Sequence, residues 1–314
     1  MSLYTPLCDL LGIEYPIFQG GMAWVSDAAL AAAVSRAGAL GIIGSGSADP
    51  QWVAREIRKV RELTDRPFGV NVMLMNPHAA EIMAVIRELK VPVVTTGAGN
   101  PGKYVAGLKE AGVRIFPVVS AVAPARRLAR SGVDGLIAEG MESGGHIGEL
   151  GTLPLVPQVV DAVNVPVVAA GGIFDGRGVA AALVLGAAGV QLGTRFMTAL
   201  ECTIHPRVKE ALVRASDRDT AVTGRSLGHP VRALYNRLTR RFAEMEAAGV
   251  PKEEIEELGR GRLRAAMVEG DVENGTICAG QVAGMVEKIQ PAAEIIAELV
   301  SGTQERIRRL EGVV

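Results

Sequence analysis

Short apolar runs alternating with longer amphipathic segments constrain this chain more than any other feature. The apolar runs occupy residues 15–19, 40–43, 69–72, 91–95, 114–119, 135–138, 165–169 and 189–192. Between them, 27–37, 50–63, 79–89, 102–111, 123–131, 155–162 and 176–185 read as amphipathic helices. Strand–helix alternation implies parallel strands joined by right-handed crossovers. Eight such units close into a (β/α)8 barrel, the TIM-barrel form of the α/β class. An open doubly wound sheet is disfavoured, because Gly20-Gly21-Met22-Ala23-Trp24 stands after the first strand where a GxGxxG fingerprint belongs. The composition agrees: 48% of residues are hydrophobic but only 4% aromatic, as in buried parallel strands against small-residue helices.

After residue 200 the pattern changes. Residues 205–214, 231–248 and 252–268 read as helices, the last as one or two, and 269–283 as a glycine-bearing segment. A further helix is expected over 291–310. The division is a barrel over 1–204, a small, mostly helical second domain over 205–285 at the barrel mouth, and a returning segment over 286–314.

A net charge of −1 and few aromatic residues give no reason to expect nucleic acid or an anionic membrane as partner. The uncharged stretch 178–194 reads as a helix followed by a strand, not as a membrane span. Cys8, Cys202 and Cys278 are odd in number and far apart, which fits a reducing cytoplasm better than a disulfide framework or a zinc site. No signal peptide is read at the N-terminus.

Glycine clusters fall where the strands end, and in a (β/α)8 enzyme that end carries the active site. Glycines that merely turn the chain explain any one pair. The pairs Gly171-Gly172 and Gly193-Thr194, at the ends of the seventh and eighth strands, read together as a phosphate cradle. Asn71 ends the third strand, and its amide can serve either a planar heterocycle or a loop backbone. The stretch Ile137 to Gly148 carries four glycines, Glu139, Glu142 and His146. A histidine on such a rim suits proton chemistry near neutral pH, with a glutamate as companion. No second histidine stands at ligand spacing, so no dedicated metal is expected. His205 and His229 each precede proline and read as turn-fixing residues. Arg232, Arg237, Arg240 and Arg241 read as a solvated helix face, with docking of an acidic carrier protein as the sharper alternative.

Taken in order, these motifs resemble those of flavin-dependent enoyl-acyl-carrier-protein reductases of the second, non-Rossmann type, a branch of the nitronate monooxygenase (2-nitropropane dioxygenase) superfamily. The markers are Tyr15-Pro-Ile-Phe-Gln-Gly-Gly-Met-Ala-Trp24, Pro67-Phe-Gly-Val-Asn-Val72, Val94-Thr-Thr-Gly-Ala-Gly-Asn-Pro101, Ala138-Glu-Gly-Met-Glu142 and Gly144-Gly-His-Ile-Gly148. Ala169-Ala-Gly-Gly-Ile173, Gly193-Thr-Arg-Phe196 and Gly228-His-Pro-Val-Arg-Ala233 follow. The resemblance implies FMN in the barrel mouth, its phosphate on Gly171, Gly172, Gly193 and Thr194. It implies Gly21, Met22, Ala23 and Asn71 beside the isoalloxazine, and Glu139 and Gly145 as further contacts. Gln191, which opens the loop after the eighth strand, is counted with these cofactor-binding residues, and His146 matches the catalytic histidine. NADH or NADPH as co-substrate, an enoyl-acyl-carrier-protein or enoyl-CoA substrate, a homodimer and stimulation by a monovalent cation are implied as well. Two departures are Ser143 and Pro230, where the family often has alanine. Nitronate oxidation by O2 is the competing activity. A flavin-binding protein without turnover, and a flavin-free barrel acting on phosphosugars or nucleotides, rank lower.

Overall fold

The computed structural model describes residues 3–311. Six parallel strands come first: β1 (Ile17–Gln19), β2 (Gly41–Gly44), β3 (Phe68–Met73), β4 (Val93–Gly97), β5 (Arg114–Val119) and β6 (Leu136–Glu139). A two-residue strand, β7 (Gly145–His146), precedes the last two barrel strands, β8 (Val167–Ala170) and β9 (Gly189–Leu192). The sheet runs β1-β9-β8-β6-β5-β4-β3-β2, so the chain winds once around a (β/α)8 barrel.

The seam between β1 and β2 closes by a single bridge. Gln19 N donates to Leu40 O, and Leu40 N donates to Ile17 O, each at 2.9 Å. The buried Gln19 side chain extends the seam: its Oε1 accepts from Ile42 N at 3.1 Å and its Nε2 donates to Ile42 O at 3.2 Å. An amide side chain thus does what a longer backbone ladder does elsewhere.

Side chains alternate along each strand. Phe18, Ile42, Val93, Phe116, Ile137 and Val168 belong to an inner core. Phe18 and Phe116 meet edge to face, with centroids 5.7 Å apart. Leu7, Cys8 and Leu11 of the helix Pro6–Leu11, a short element the sequence pattern did not suggest, join the same cluster and plug the barrel floor. Ile17, Ile43, Val70, Val94 and Ile115 face outward onto the helices. Helix starts follow local chemistry. Asp27 accepts from Ala29 N and Leu30 N, and Asp49 accepts from Trp52 N with Pro50 in the first turn.

The segment expected as one helix over 231–248 is corrected. Val231–Leu234 forms β11, antiparallel to β10 (Thr220–Thr223) on one side and to β7 on the other. The helix begins only at Arg237, where Asn236 and Thr239 make a reciprocal capping box. Arg232 therefore leaves the proposed solvated face. It is buried on β11 and donates from Nε to Met141 O at 3.2 Å. Arg237, Arg240 and Arg241 remain exposed on the helix Arg237–Ala247. The stretch 252–268 divides into Lys252–Gly259 and Arg262–Met267, separated at Gly261 with φ +73°. The C-terminal helix Ala292–Glu311 packs on the barrel helix Gly176–Val184. Among the described residues no helix is long and apolar enough to cross a membrane.

Candidate functional site

A cavity of about 760 Å³ opens at the C-terminal ends of the barrel strands. The turn after β1 forms one wall. Ser26 stitches this turn, its hydroxyl accepting from Met22 N at 2.6 Å. Gly21, Met22 and Ala23 line the wall. Asn71 comes close behind them, so a methyl group on Gly21 would lie 2.2 Å from Asn71 Cβ. Asn71 Nδ2 donates to Thr95 Oγ1 at 2.9 Å, which leaves the amide oxygen without a protein donor among the described residues.

The opposite wall comes from the ends of β8 and β9. Gly171, Gly172, Gln191, Gly193 and Thr194 all line the cavity. Gly171 has φ +91°, and an added Cβ would meet Gly140 O at 2.7 Å, so a side chain is excluded there. The N–H groups of Gly171, Gly172 and Gly193 donate to no acceptor among the described residues. Unsatisfied backbone donors converging with a hydroxyl are what a phosphate needs, so these residues fit the group that the sequence implies. Thr194 Oγ1 accepts from Gly280 N at 2.9 Å, which leaves its own proton free to donate.

The rim is the loop from β6 to β7. Glu139, Gly145 and His146 all face the cavity. Glu139 keeps part of its side chain on the cavity surface but is packed so deeply that burial pushes its carboxyl up to about 7. The nearby Ser143 hydroxyl offsets part of that rise, although no formed hydrogen bond satisfies this buried group. Packing on one side of the ring holds the His146 imidazole below its ordinary value although the residue remains exposed, and the charge of His229 adds to the effect. Gly145, with φ +79°, has open space beside it where a side chain would stand.

Glu142 does other work than the acid–base role suggested for it. Both carboxylate oxygens accept from Thr152 N at 2.9 Å, and Oε2 accepts from Thr152 Oγ1 at 2.9 Å. It holds the start of the helix Thr152–Val160 and backs the Gly171-Gly172 turn. His205 fixes a turn as expected: its Nδ1 accepts from Arg207 N at the start of the helix Pro206–Arg214. His229 also lies in a turn, but its ring faces that of His146.

The sequence pattern missed a second chain segment at the site. Cys278, Gly280 and Val282 return across the mouth and line the cavity. Gly280 N is bound to Thr194, and Gln281 N donates to Glu142 O at 2.9 Å. Trp24 and Arg264 flank the opening, the guanidinium 5.8 Å from the indole centroid. Nothing in the pattern of 269–283 signals this return, because its contacts are made by backbone. Among the described residues no cluster of three or more His, Cys, Asp or Glu is arranged to hold a metal ion.

The family model for nitronate monooxygenase matches residues 4–89 and 82–302. The chain belongs to the nitronate monooxygenase family. Members of this family are flavin-dependent oxidoreductases. The structure is similar to that of FabK from Thermotoga maritima, an enoyl-acyl-carrier-protein reductase II, with 50% identity, a TM-score of 0.97 and 99% of each chain covered. In sequence it is 35% identical to an octahydroindene-carboxyl-CoA dehydrogenase of Mycobacterium tuberculosis, over 96% of each chain. It is 34% identical to a probable nitronate monooxygenase of Staphylococcus aureus, over 94% of this chain and 96% of the relative.

Proposed function

We propose that this chain reduces trans-2-enoyl thioesters, carried on acyl-carrier protein or coenzyme A, using NADH or NADPH and a resident FMN. The observation that supports this most is the likeness to FabK at 50% identity across 99% of both chains, well above the likeness to the monooxygenase relatives. The dehydrogenase relative, whose name contains a coenzyme A thioester, points to the same substrate class.

FMN bound in the cavity supplies the hydride exchange between nicotinamide and the enoyl β-carbon. Gly171, Gly172, Gly193 and Thr194 would hold its phosphate, and Gly21, Met22, Ala23, Asn71 and Gln191 its ring system. Glu139, with its carboxyl near 7, can donate as well as accept a hydrogen bond toward the same group. His146 stands at the rim, where the thioester arrives. With its imidazole held mostly neutral at pH 7, it donates its N–H to the α-carbon or to the thioester carbonyl as negative charge develops. The bare face of Gly145 lets the carbonyl approach. Leu263, Met267 and Val282 give an apolar wall for the acyl chain, with residues 205–285 as the lid. A homodimer and stimulation by a monovalent cation belong to the same reading.

The test is anaerobic stopped-flow on the yellow protein. NADH reduces the flavin, and crotonyl thioester is then mixed in. Rapid reoxidation with the saturated thioester as product supports the proposal. His146→Ala with bound FMN should lose on the order of a hundredfold or more in that step. The second reading, nitronate oxidation, is favoured by the S. aureus relative. Reoxidation by O2 alone, with nitronate consumed, would establish it instead.

A further inference from the structure

The ring of His229 stands edge-on to that of His146, with centroids 6.5 Å apart and planes at 84°. This pair is built into the backbone. Ile147 N donates to Pro230 O at 3.0 Å, and His146 lies opposite Val231 in the β7–β11 ladder. His229 N closes its own turn onto Gly224 O at 3.2 Å. The Glu246 carboxylate then fastens that turn to the helix Arg237–Ala247, accepting from Gly224 N and Ser226 N at 3.0 Å and from Ser226 Oγ at 2.7 Å.

His146 lines the cavity and is itself exposed, and His229 is exposed beside it, outside the cavity lining. The other charged groups around this corner are engaged or remote in effect. Glu142 binds Thr152, Arg232 binds Met141 O and Thr220 Oγ1, and Glu246 binds the 224–226 turn beside Arg225. Among the described residues His229 is the one charged neighbour whose field acts on His146.

A chemical requirement makes this arrangement useful. A neutral imidazole that gives up its N–H becomes an unstable anion unless its second nitrogen gains a proton in the same event. A centroid separation of 6.5 Å keeps the ring nitrogens beyond direct hydrogen-bond range, so a proton passing between them must be carried by water.

We propose that His229 is the proton-relay partner of His146. In each turnover one proton leaves His146 for the substrate α-carbon. One proton enters the other His146 nitrogen from His229 through bridging water, and His229 recovers it from solvent. The exposed His146 ring exchanges its proton back to the substrate-facing nitrogen through water before the next turnover. No further oxidant or reductant is involved. His229 acts through His146 and touches neither substrate nor cofactor. The relay rests on the enoyl-reduction reading.

The experiment is reoxidation of the NADH-reduced holoenzyme by crotonyl-coenzyme A, comparing wild type with His229→Gln. The variant should keep its FMN and its rate of reduction by NADH. Its reoxidation should slow by about a hundredfold at most, the low end for a proton-transfer residue. That loss should be recovered by added imidazole buffer, to which the wild type is indifferent. The pH limb belonging to His146 should move to higher pH, because a cationic neighbour has been removed. In the wild type itself, the proton inventory of reoxidation in mixed H2O and D2O should be curved, with two protons in flight. A linear inventory overturns the relay whatever the variant does, as does a variant whose pH profile and buffer response match the wild type. A wild type that crotonyl-coenzyme A never reoxidises removes the enoyl reading and the relay with it, a result distinct from a failure of the relay alone.

Discussion

Glu142→Ala separates a structural carboxylate from a chemical one. Its oxygens receive Thr152 N and Thr152 Oγ1 at 2.9 Å at the start of a helix. Losing such a helix-start acceptor costs typically about 1 kcal/mol, and a carboxylate near a helix N-terminus adds up to about 1 kcal/mol. The expected destabilisation is therefore about 2 kcal/mol. For a chain of 314 residues that lowers the unfolding midpoint by roughly 3 °C. Because Glu142 also backs the Gly171-Gly172 turn, part of the loss should fall on the cofactor. If all of it did, FMN affinity would weaken by about thirtyfold. Glu142→Gln, which keeps one acceptor oxygen, should lose about half as much. The assay is a flavin fluorescence titration with a thermal melt, followed by turnover at saturating FMN. Turnover per bound flavin should stay within about threefold of wild type, a difference under 1 kcal/mol. If Glu142→Ala, fully loaded with FMN, is as inactive as His146→Ala, then Glu142 is acid–base machinery and the reasoning fails.

Further outcomes follow from other parts of the site. Glu139 has a carboxyl raised from 4.5 to about 7, so the folded state holds a proton that the unfolded chain has released. Stability of the FMN-free chain should therefore fall as pH rises from about 4.5 to about 7, by at most about 3 kcal/mol, and level off above; Glu139→Gln should abolish that slope in urea titrations, and an unchanged slope would assign it elsewhere. Gly21→Ala forces a methyl group to 2.2 Å from Asn71 Cβ. Its overpacking cost of about 1–3 kcal/mol should appear as a lower flavin-to-protein absorbance ratio, and full flavin content would refute the close packing. Arg240 and Arg241 are exposed on the helix Arg237–Ala247. Reversing both to Glu should raise KM for a carrier-protein substrate and leave KM for the coenzyme A thioester unchanged, whereas equal effects would remove carrier docking.

The barrel was legible because its signals are local. Short apolar strands ending in glycine, and helices starting at Asp27, Asp49 and Asp175, are written within a few residues of each element. The barrel part of the site was legible for the same reason, since strand ends converge in this fold. What escaped depends on partners distant in sequence. Val231–Leu234 has an apolar content that suits either a helix or a strand, and its pairing with Gly145–His146 decides the matter. Glu142 looked chemical until Thr152 was beside it. Cys278 and Gly280 carry no motif, and their segment is fastened at the cavity by the Gly280 N–H donating to the Thr194 hydroxyl.

That last bond orders events during synthesis. The loop carrying Gly193 and Thr194 is made well before Gly280, the residue that fastens it. At roughly 5–20 residues per second the ribosome needs on the order of ten seconds to cover that interval. Throughout it, a nascent barrel has all eight of its strands but not the final clasp on the loop after β9. On the proposed assignment of that loop to the FMN phosphate, stable capture waits for nearly the whole chain, and a product truncated after the barrel is expected to emerge colourless.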